Sequence, residues 1–276
     1  MDKIIVPVDF SSASSWGFYY AYNIAREIGA ELVVVHLYWP PYVESTYPVD
    51  MIQSIINEKE IEVLKHLKAA TRPPLEDEVS VKIKYVIQSG SENSIVDVAE
   101  EQGADLIVMG THGSGKALDK VWGTNTANVI QNATCPVLAI PVGATYEGVD
   151  SIAYATDFDA KDTELLFQLT LIATAIRAKV HCVHINQADA PYNDKKETAF
   201  RASFEKNFAN LPVTYSVWSA NEIEDGLETF CRINKVSILA MLTHNKKSLW
   251  DKVFGGASTT KRMTMQTKLP LLAFHK

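Results

Sequence analysis

Residues 104–125 read ADLIVMGTHGSGKALDKVWGTN, and this stretch indicates the fold more clearly than any other. Its first six residues are largely apolar, as in a buried strand, and Thr126–Asn132 directly after it has helical character. A glycine-rich loop lies between the two. A strand that leads through such a loop into a helix is the repeating unit of an α/β protein with a parallel sheet.

The loop glycines follow the spacing G-x2-G-x9-G-T, formed by Gly110, Gly113, Gly123 and Thr124. Glycines let backbone N–H groups approach a ligand closely, and the N-terminus of the next helix favours negative charge. The spacing therefore predicts a phosphate site on the main chain. Each glycine alone is also compatible with an ordinary turn or helix-cap position.

The sequence contains two copies of one unit. Residues 4–11, IIVPVDFS, recur as residues 152–159, IAYATDFD, and residues 30–37 recur at the same offset as residues 178–185. The further matched pairs are 83–87 with 213–217, 109–112 with 241–244, and 135–140 with 269–274. A shared order of matched segments is typical of a tandem repeat.

Both copies alternate apolar strands with amphipathic helices, which predicts an α/β fold. We expect two tandem, doubly wound, Rossmann-like parallel sheets of five strands each, with ligands beyond the carboxyl ends of the strands. The polar junction near Tyr146 divides the chain into domains 1–145 and 146–276. The first copy is longer because of residues 39–80, which we interpret as an insertion.

Composition excludes several classes of function. The 26 Lys and Arg residues face 33 Asp and Glu residues, a formal net charge of −7, whereas nucleic-acid surfaces need clustered positive charge. No apolar run reaches the roughly 18–20 residues of a membrane span, and no signal-like segment precedes the first strand. We therefore expect a cytoplasmic protein whose cysteines, Cys135, Cys182 and Cys231, are reduced.

The glycine spacing and the run Ile4–Ser11 resemble the nucleotide-binding signature and first strand of the universal stress protein family. The resemblance covers nearly the whole chain as a tandem pair and implies a fold like that of the adenine nucleotide alpha hydrolases. It further implies ATP or AMP as ligand, with or without Mg²⁺, and nucleotide-dependent signalling or interaction in stress response. The last strands, 136–140 and 270–274, would pair as in an intramolecular pseudo-dimer, and a further homodimer stays open.

The resemblance also assigns the ligand contacts. The residues expected at the nucleotide are Val8, Asp9, Leu37, Met109, Gly110, Thr111, His112, Gly113, Gly123, Thr124 and Asn125. A carboxylate repels phosphate, so Asp9 would contact ribose hydroxyls or Mg²⁺; its structural alternative is to cap the helix that begins near Ser12. Leu37 and Met109 would form apolar walls for adenine, or simply part of the sheet core. His112 has the alternative of an ordinary surface residue.

The second copy departs from the signature. Asp157 matches the acidic residue, but Leu242 and Asn245 stand where the first copy has its first two glycines, and only Gly255 matches the third. A leucine side chain would fill the space that a phosphate needs. We therefore expect nucleotide affinity in the first copy only.

No residue is assigned a catalytic role. The sequence lacks a recognisable Ser/His/Asp arrangement, a pair of carboxylates across a cleft and a metal-ligand motif. Three functions stay open: a nucleotide-binding stress protein, which the resemblance implies and the intact first loop favours; a nucleotide-free interaction scaffold; and a slow ATP hydrolase.

Overall fold

The computed structural model describes residues 1–39, 47–73, 81–89, 93–111, 124–187, 194–243 and 269–275. Strands and helices alternate through them in two matching halves. The strands are β1 (Lys3–Pro7), β2 (Glu31–Tyr38), β3 (Ile83–Ser89), β4 (Leu106–Gly110), β5 (Val137–Ile140), β6 (Ser151–Ala155), β7 (Lys179–Gln187), β8 (Val213–Ala220), β9 (Ile238–Thr243) and β10 (Leu271–His275). The helices are α1 (Ser12–Ile28), α2 (Val49–Ala70), α3 (Asn93–Gln102), α4 (Thr124–Asn132), α5 (Asp162–Ala175), α6 (Asp194–Phe208) and α7 (Ile223–Ile233).

The described strands form one sheet in the order β3-β2-β1-β4-β5-β10-β9-β6-β7-β8. All pairs within each half are parallel, whereas β5 and β10 pair antiparallel, with Leu138 opposite Leu272. The predicted α/β fold with two tandem Rossmann-like units of five strands is confirmed. The two five-stranded sheets are continuous with each other through this central pair.

The stretch interpreted as an insertion contains α2, the helix that connects β2 to β3. Parallel neighbouring strands need such a crossover, so the interpretation was incomplete. Only Val63 and Leu67 of this 22-residue helix are buried, which explains why its sequence pattern was weak. The corresponding helix of the second half, α6, has 15 residues, so the crossover helix accounts for part of the difference in length.

Helix α1 shows how the sequence sets the boundaries of an element. The Ser11 side chain accepts a hydrogen bond from the Ser14 N–H group at 3.1 Å and caps its first turn. Gly29, with φ at 71°, adopts the left-handed conformation that ends it. This helix lies on the sheet directly after β1, and its first turn borders the carboxyl end of that strand.

The core has a different organisation on the two faces of the sheet. On the face of α1 and α5, one continuous apolar cluster joins both halves and includes Leu138 and Leu272 at the central pair. On the other face, the halves have separate clusters, one around Ile107 and one around Leu239. Side chains of both halves therefore share one core at the central strand pair.

Candidate functional site

The topology brings two distant segments together at one edge of the first half. Strands β1 and β4 are parallel neighbours, with Ile5 opposite Ile107, so their carboxyl ends lie side by side. The chain leaves β1 for α1 and β4 for α4, and the strand order reverses between these two strands. Such a switch point is where open α/β sheets bind ligands.

A short turn after β1 carries Asp9. The Val8 N–H group still donates to the Val35 carbonyl at 2.8 Å, which continues the pairing with β2. The Asp9 carboxylate then accepts from the Ser11 N–H group at 3.0 Å, and the Asp9 N–H group donates to Ser14 Oγ at 3.3 Å. Since Ser11 is the N-cap of α1, the structural alternative for Asp9 as the cap was wrong.

The Asp9 side chain is exposed and acidic. Partial shielding from water opposes its ionisation, but hydrogen bonds from Ser11 and Ser14 outweigh that effect and lower the pKa of the carboxyl below 3.8. It is therefore a carboxylate at neutral pH. A fixed carboxylate at a strand end accepts hydrogen bonds from hydroxyl groups or binds a cation, and it repels phosphate.

The end of β4 is held firmly by protein contacts. Thr126 in the first turn of α4 donates its hydroxyl to the Gly110 carbonyl at 2.9 Å, and the Thr111 N–H group donates to the Ile140 carbonyl at 3.0 Å. Thr111 is only 2% exposed. These bonds fix where β4 ends relative to α4, and Thr111 is a buried part of that connection.

Gly110 also has a packing reason to be glycine. A β-carbon at this position would overlap the carbonyl group of Ala13 in α1. The helix backbone therefore lies directly against the strand backbone, whether or not a ligand approaches from the other side. This contact does not show whether Gly110 also lets a ligand approach the backbone closely, and that expectation stays a prediction.

The predicted apolar wall residues lie on two faces of the sheet. Leu37 and Met109 belong to one cluster, on the face of α3 and α4, and Met109 is 5% exposed. Val8 belongs to the cluster on the face of α1. The interpretation of Met109 as sheet core is thus correct, Leu37 packs against the same core while partly buried, and the role of both as pocket walls stays a prediction.

The remaining predicted contacts are only partly within the described residues. Thr124 begins α4 and Asn125 is exposed in its first turn. His112, Gly113 and Gly123 lie outside the described residues, as does the second-half segment with Asn245 and Gly255. The phosphate loop itself therefore stays a prediction.

The counterpart edge of the second half carries different groups. Asp157 is exposed like Asp9, but Asp162 stands at the position of Ser14 and is 2% exposed. Its carboxylate accepts from the hydroxyl groups of Tyr154 and Thr156 and from the Asp159 N–H group. Leu242 is buried in the core, and the expectation that it denies space to a phosphate stays a prediction, because the loop after β9 lies outside the described residues.

The aromatic residue after each acidic residue also differs between the halves. Phe10 is 46% exposed, whereas Phe158 is less exposed and contacts Phe200 of α6, with ring centroids 5.4 Å apart. Phe200 in turn contacts Tyr215 of β8. Side chains of α6 thus cover the strand-end turn of the second half.

Several of these contributors were not predicted from the sequence. Ser11 and Ser14 follow an N-cap pattern that the sequence displays, and that signal could have identified them. Thr126 offers no comparable signal, because its importance depends on a carbonyl 16 residues away. Across the described segments, no cluster of three or more His, Cys, Asp or Glu side chains is arranged to hold a metal ion.

Comparisons with known proteins identify relatives that each cover about half of the chain. The sequence model of the universal stress protein family matches residues 1–141. The universal stress protein MJ0531 of Methanocaldococcus jannaschii is 35% identical over 144 residues, which cover 50% of this chain and 81% of that protein. The universal stress protein YxiE of Bacillus subtilis is 30% identical over 146 residues, which cover 50% of this chain and 98% of the relative.

Solved structures extend the likeness to the second half. A universal stress protein from Archaeoglobus fulgidus has a TM-score of 0.70 at 17% identity, with 99% of this chain and 98% of that one covered. A protein from Pseudomonas aeruginosa UCBPP-PA14 has a TM-score of 0.55 at 13% identity, with 100% and 93% covered. At these identities the likeness concerns the fold. No helix among the described residues is long and apolar enough to cross a membrane.

Proposed function

Since this chain belongs to the universal stress protein family, we propose that its first domain, residues 1–145, binds an adenine nucleotide, ATP or AMP. The second domain, residues 146–276, does not bind one. The protein acts in stress response through a nucleotide-dependent change in signalling or interaction. The observation that carries this proposal is the exposed, ionised Asp9 at the switch point between β1 and β4, next to the strand that leads into the glycine spacing.

Each part of the nucleotide has a proposed partner. Asp9 accepts hydrogen bonds from the ribose hydroxyls or binds Mg²⁺. Leu37 and Met109, on one face of the sheet, provide apolar surface for the adenine, and Val8 contacts the nucleotide from the end of β1. The phosphates bind to the loop that leads from Gly110 through His112 and Gly113 to Gly123, and to Thr124 and Asn125 at the N-terminus of α4, whose dipole favours negative charge. Thr111, whose N–H group bonds to the Ile140 carbonyl, fixes the start of this loop and gives no N–H group to the phosphates.

The second domain has a stabilising role in this proposal. Phe200 covers Phe158 where the first half leaves Phe10 exposed, and the antiparallel pair of β5 and β10 joins the domains as a pseudo-dimer within one chain. The last strands 136–140 and 270–274 thereby take the place of a contact between two chains. The chain is then monomeric unless another surface forms a homodimer.

A nucleotide-free interaction scaffold is the second candidate. It is favoured because groups at the end of β4 already contact other parts of the protein: the Thr111 N–H group bonds to Ile140, and Gly110 packs against Ala13. Under this alternative, the glycines serve packing alone. A slow ATP hydrolase is less favoured, because none of the residues that the structure describes beside Asp9 is placed as a general base.

Nucleotide retained by the purified full-length chain separates the two candidates. The protein is denatured, and the released small molecules are identified by chromatography and mass spectrometry. We expect ATP or AMP, and we expect Gly113→Leu to abolish retention while the circular dichroism spectrum stays unchanged. A chain that releases no nucleotide and shows no binding of ATP or AMP in calorimetry would be a scaffold.

A further inference from the structure

His36 of β2 makes a close contact with the turn that carries Asp9. Its side chain is 9% exposed, and its Nδ1 atom lies 2.6 Å from the Val8 carbonyl oxygen. A carbonyl oxygen can only accept, so Nδ1 carries the proton and donates this hydrogen bond. The histidine thus holds the peptide group that immediately precedes Asp9.

The same imidazole ring contacts the residue on the other side of Asp9. The ring centroids of His36 and Phe10 are 4.5 Å apart, at an interplanar angle of 48°. Phe10 has a φ of 63°, a left-handed conformation that is unfavourable for a residue with a side chain. Such a conformation persists only where surrounding contacts determine it. His36 supplies two of them, one on each side of Asp9.

The second half repeats this arrangement. His184 Nδ1 lies 2.9 Å from the Thr156 carbonyl oxygen, and its ring stacks on Phe158 with centroids 4.1 Å apart. Phe158 has a φ of 57°, and Asp157 lies between the two contacts. The histidine therefore determines the shape of the turn in both halves, although only the first is proposed to bind nucleotide.

We infer that His36 is a positioning residue of the nucleotide site, which holds the Asp9 carboxylate in place for the ligand through the Val8 carbonyl and the Phe10 ring. This inference rests on the proposed function. It adds a residue that contacts no nucleotide and acts only through the conformation of the turn. His184 has the same contacts in the other half and serves as its matched control.

The test measures ATP affinity by calorimetry on the full chain. His36→Leu removes the donor and should weaken binding about three- to tenfold, the value of one hydrogen bond. His36→Asn places an amide nitrogen near the position of Nδ1 and should recover most of the affinity, whereas His36→Gln, whose amide is one methylene further out, should not. His184→Leu should bind ATP like the wild type.

A double variant separates positioning from a general effect on stability. If His36 acts through Asp9, the variant with both Asp9→Ala and His36→Leu binds ATP no more weakly than Asp9→Ala alone. Should His36→Leu not fold, the comparison of His36→Asn with His36→Gln decides the same question.

The two proposals fail in different ways. A wild-type chain that binds no nucleotide overturns the proposed function and, with it, this role of His36. If the wild type binds ATP and His36→Leu binds it with the same affinity, only the role of His36 is overturned. The same conclusion follows if the losses from Asp9→Ala and His36→Leu add up in the double variant.

Discussion

Gly17 of α1 lies so close to Gly110 of β4 that a β-carbon on Gly17 would stand 2.8 Å from the Gly110 backbone nitrogen. The second half has leucine at both corresponding positions, Leu165 and Leu242, and each is 5% exposed in the core. The first half thus packs α1 on β4 backbone against backbone, whereas the second half contributes leucine side chains to the core cluster from both corresponding positions.

Gly110→Ala should destabilise the protein strongly. The new β-carbon would overlap the backbone carbonyl of Ala13, which cannot rotate away as a side chain could, and we expect a loss of about 3 kcal/mol or more. In Gly17→Ala, the new β-carbon would lie 2.8 Å from the Gly110 backbone nitrogen, a smaller overlap, and the loss of stability should be smaller. Urea unfolding followed by circular dichroism measures both, and an unchanged midpoint for Gly110→Ala would contradict the packing described.

Thr126→Val should weaken both stability and nucleotide affinity. It removes the hydrogen bond to the Gly110 carbonyl and should cost about 1 kcal/mol of unfolding free energy. Because this hydrogen bond connects α4 to the end of β4, its loss also makes the position of α4 relative to β4 less fixed. Thr243→Val is the matched control, since its hydroxyl bonds to the Phe274 carbonyl at 2.9 Å in the other half. Equal effects of the two variants on ATP affinity would count against a site at α4.

Asp162 should make stability depend on pH in an unusual direction. Burial outweighs the hydrogen bonds from Thr156 and Tyr154 and raises the pKa of this carboxyl above its ordinary value of 3.8. The folded state therefore holds the proton more tightly than the unfolded state, and the associated stability is fully present below pH 3.8 and is lost as the pH rises through the raised value.

Asp162→Asn, which does not titrate, isolates this effect. The urea midpoint of the wild type minus that of the variant should increase as the pH is lowered from neutrality toward about 4. A difference that shrinks over this range would mean that the carboxyl has a lowered pKa.

The three thiols should react slowly in the native protein. All are free, and burial raises the pKa of Cys135 to about 11, that of Cys231 to about 12, and that of Cys182 well above its ordinary value. Near pH 8, the population of the reactive thiolate is therefore lower by a factor of about a hundred or more than in a cysteine with an unperturbed pKa. Ellman's reagent should titrate all three only after unfolding. Rapid reaction of Cys182 or Cys231 in the native chain would contradict the burial of these two side chains.

The pair Ala139→Cys and Leu271→Cys should cross-link within one chain. These residues are directly opposite each other in the antiparallel pair of β5 and β10, where α-carbons lie about 4.5–5.5 Å apart, within the range of a disulfide. After oxidation, peptide mapping should find the link in a monomer, and Ala139→Cys alone should give none. A disulfide-linked dimer would show that the last strands pair between chains.

Much of the fold could be predicted from the sequence, because apolar strands and a tandem repeat are local patterns. The joining of both halves in one sheet followed from the resemblance, whereas α2 was missed because few of its residues are buried. At the site, the exposed Asp9 was identified from its motif. Thr126, His36 and Gly17 were not, because each acts through a contact with a backbone group that only the folded chain brings near.

The number of nucleotides bound per chain tests most directly whether the two halves have diverged in function. Calorimetric titration of the full-length protein with ATP, and separately with AMP, in the presence and absence of Mg²⁺, should give one nucleotide per chain. Asp9→Ala should weaken that binding measurably, and Asp157→Ala should leave its affinity unchanged. Two nucleotides per chain, none under any of these conditions, or a site lost with Asp157→Ala and kept with Asp9→Ala would contradict a single site in the first half.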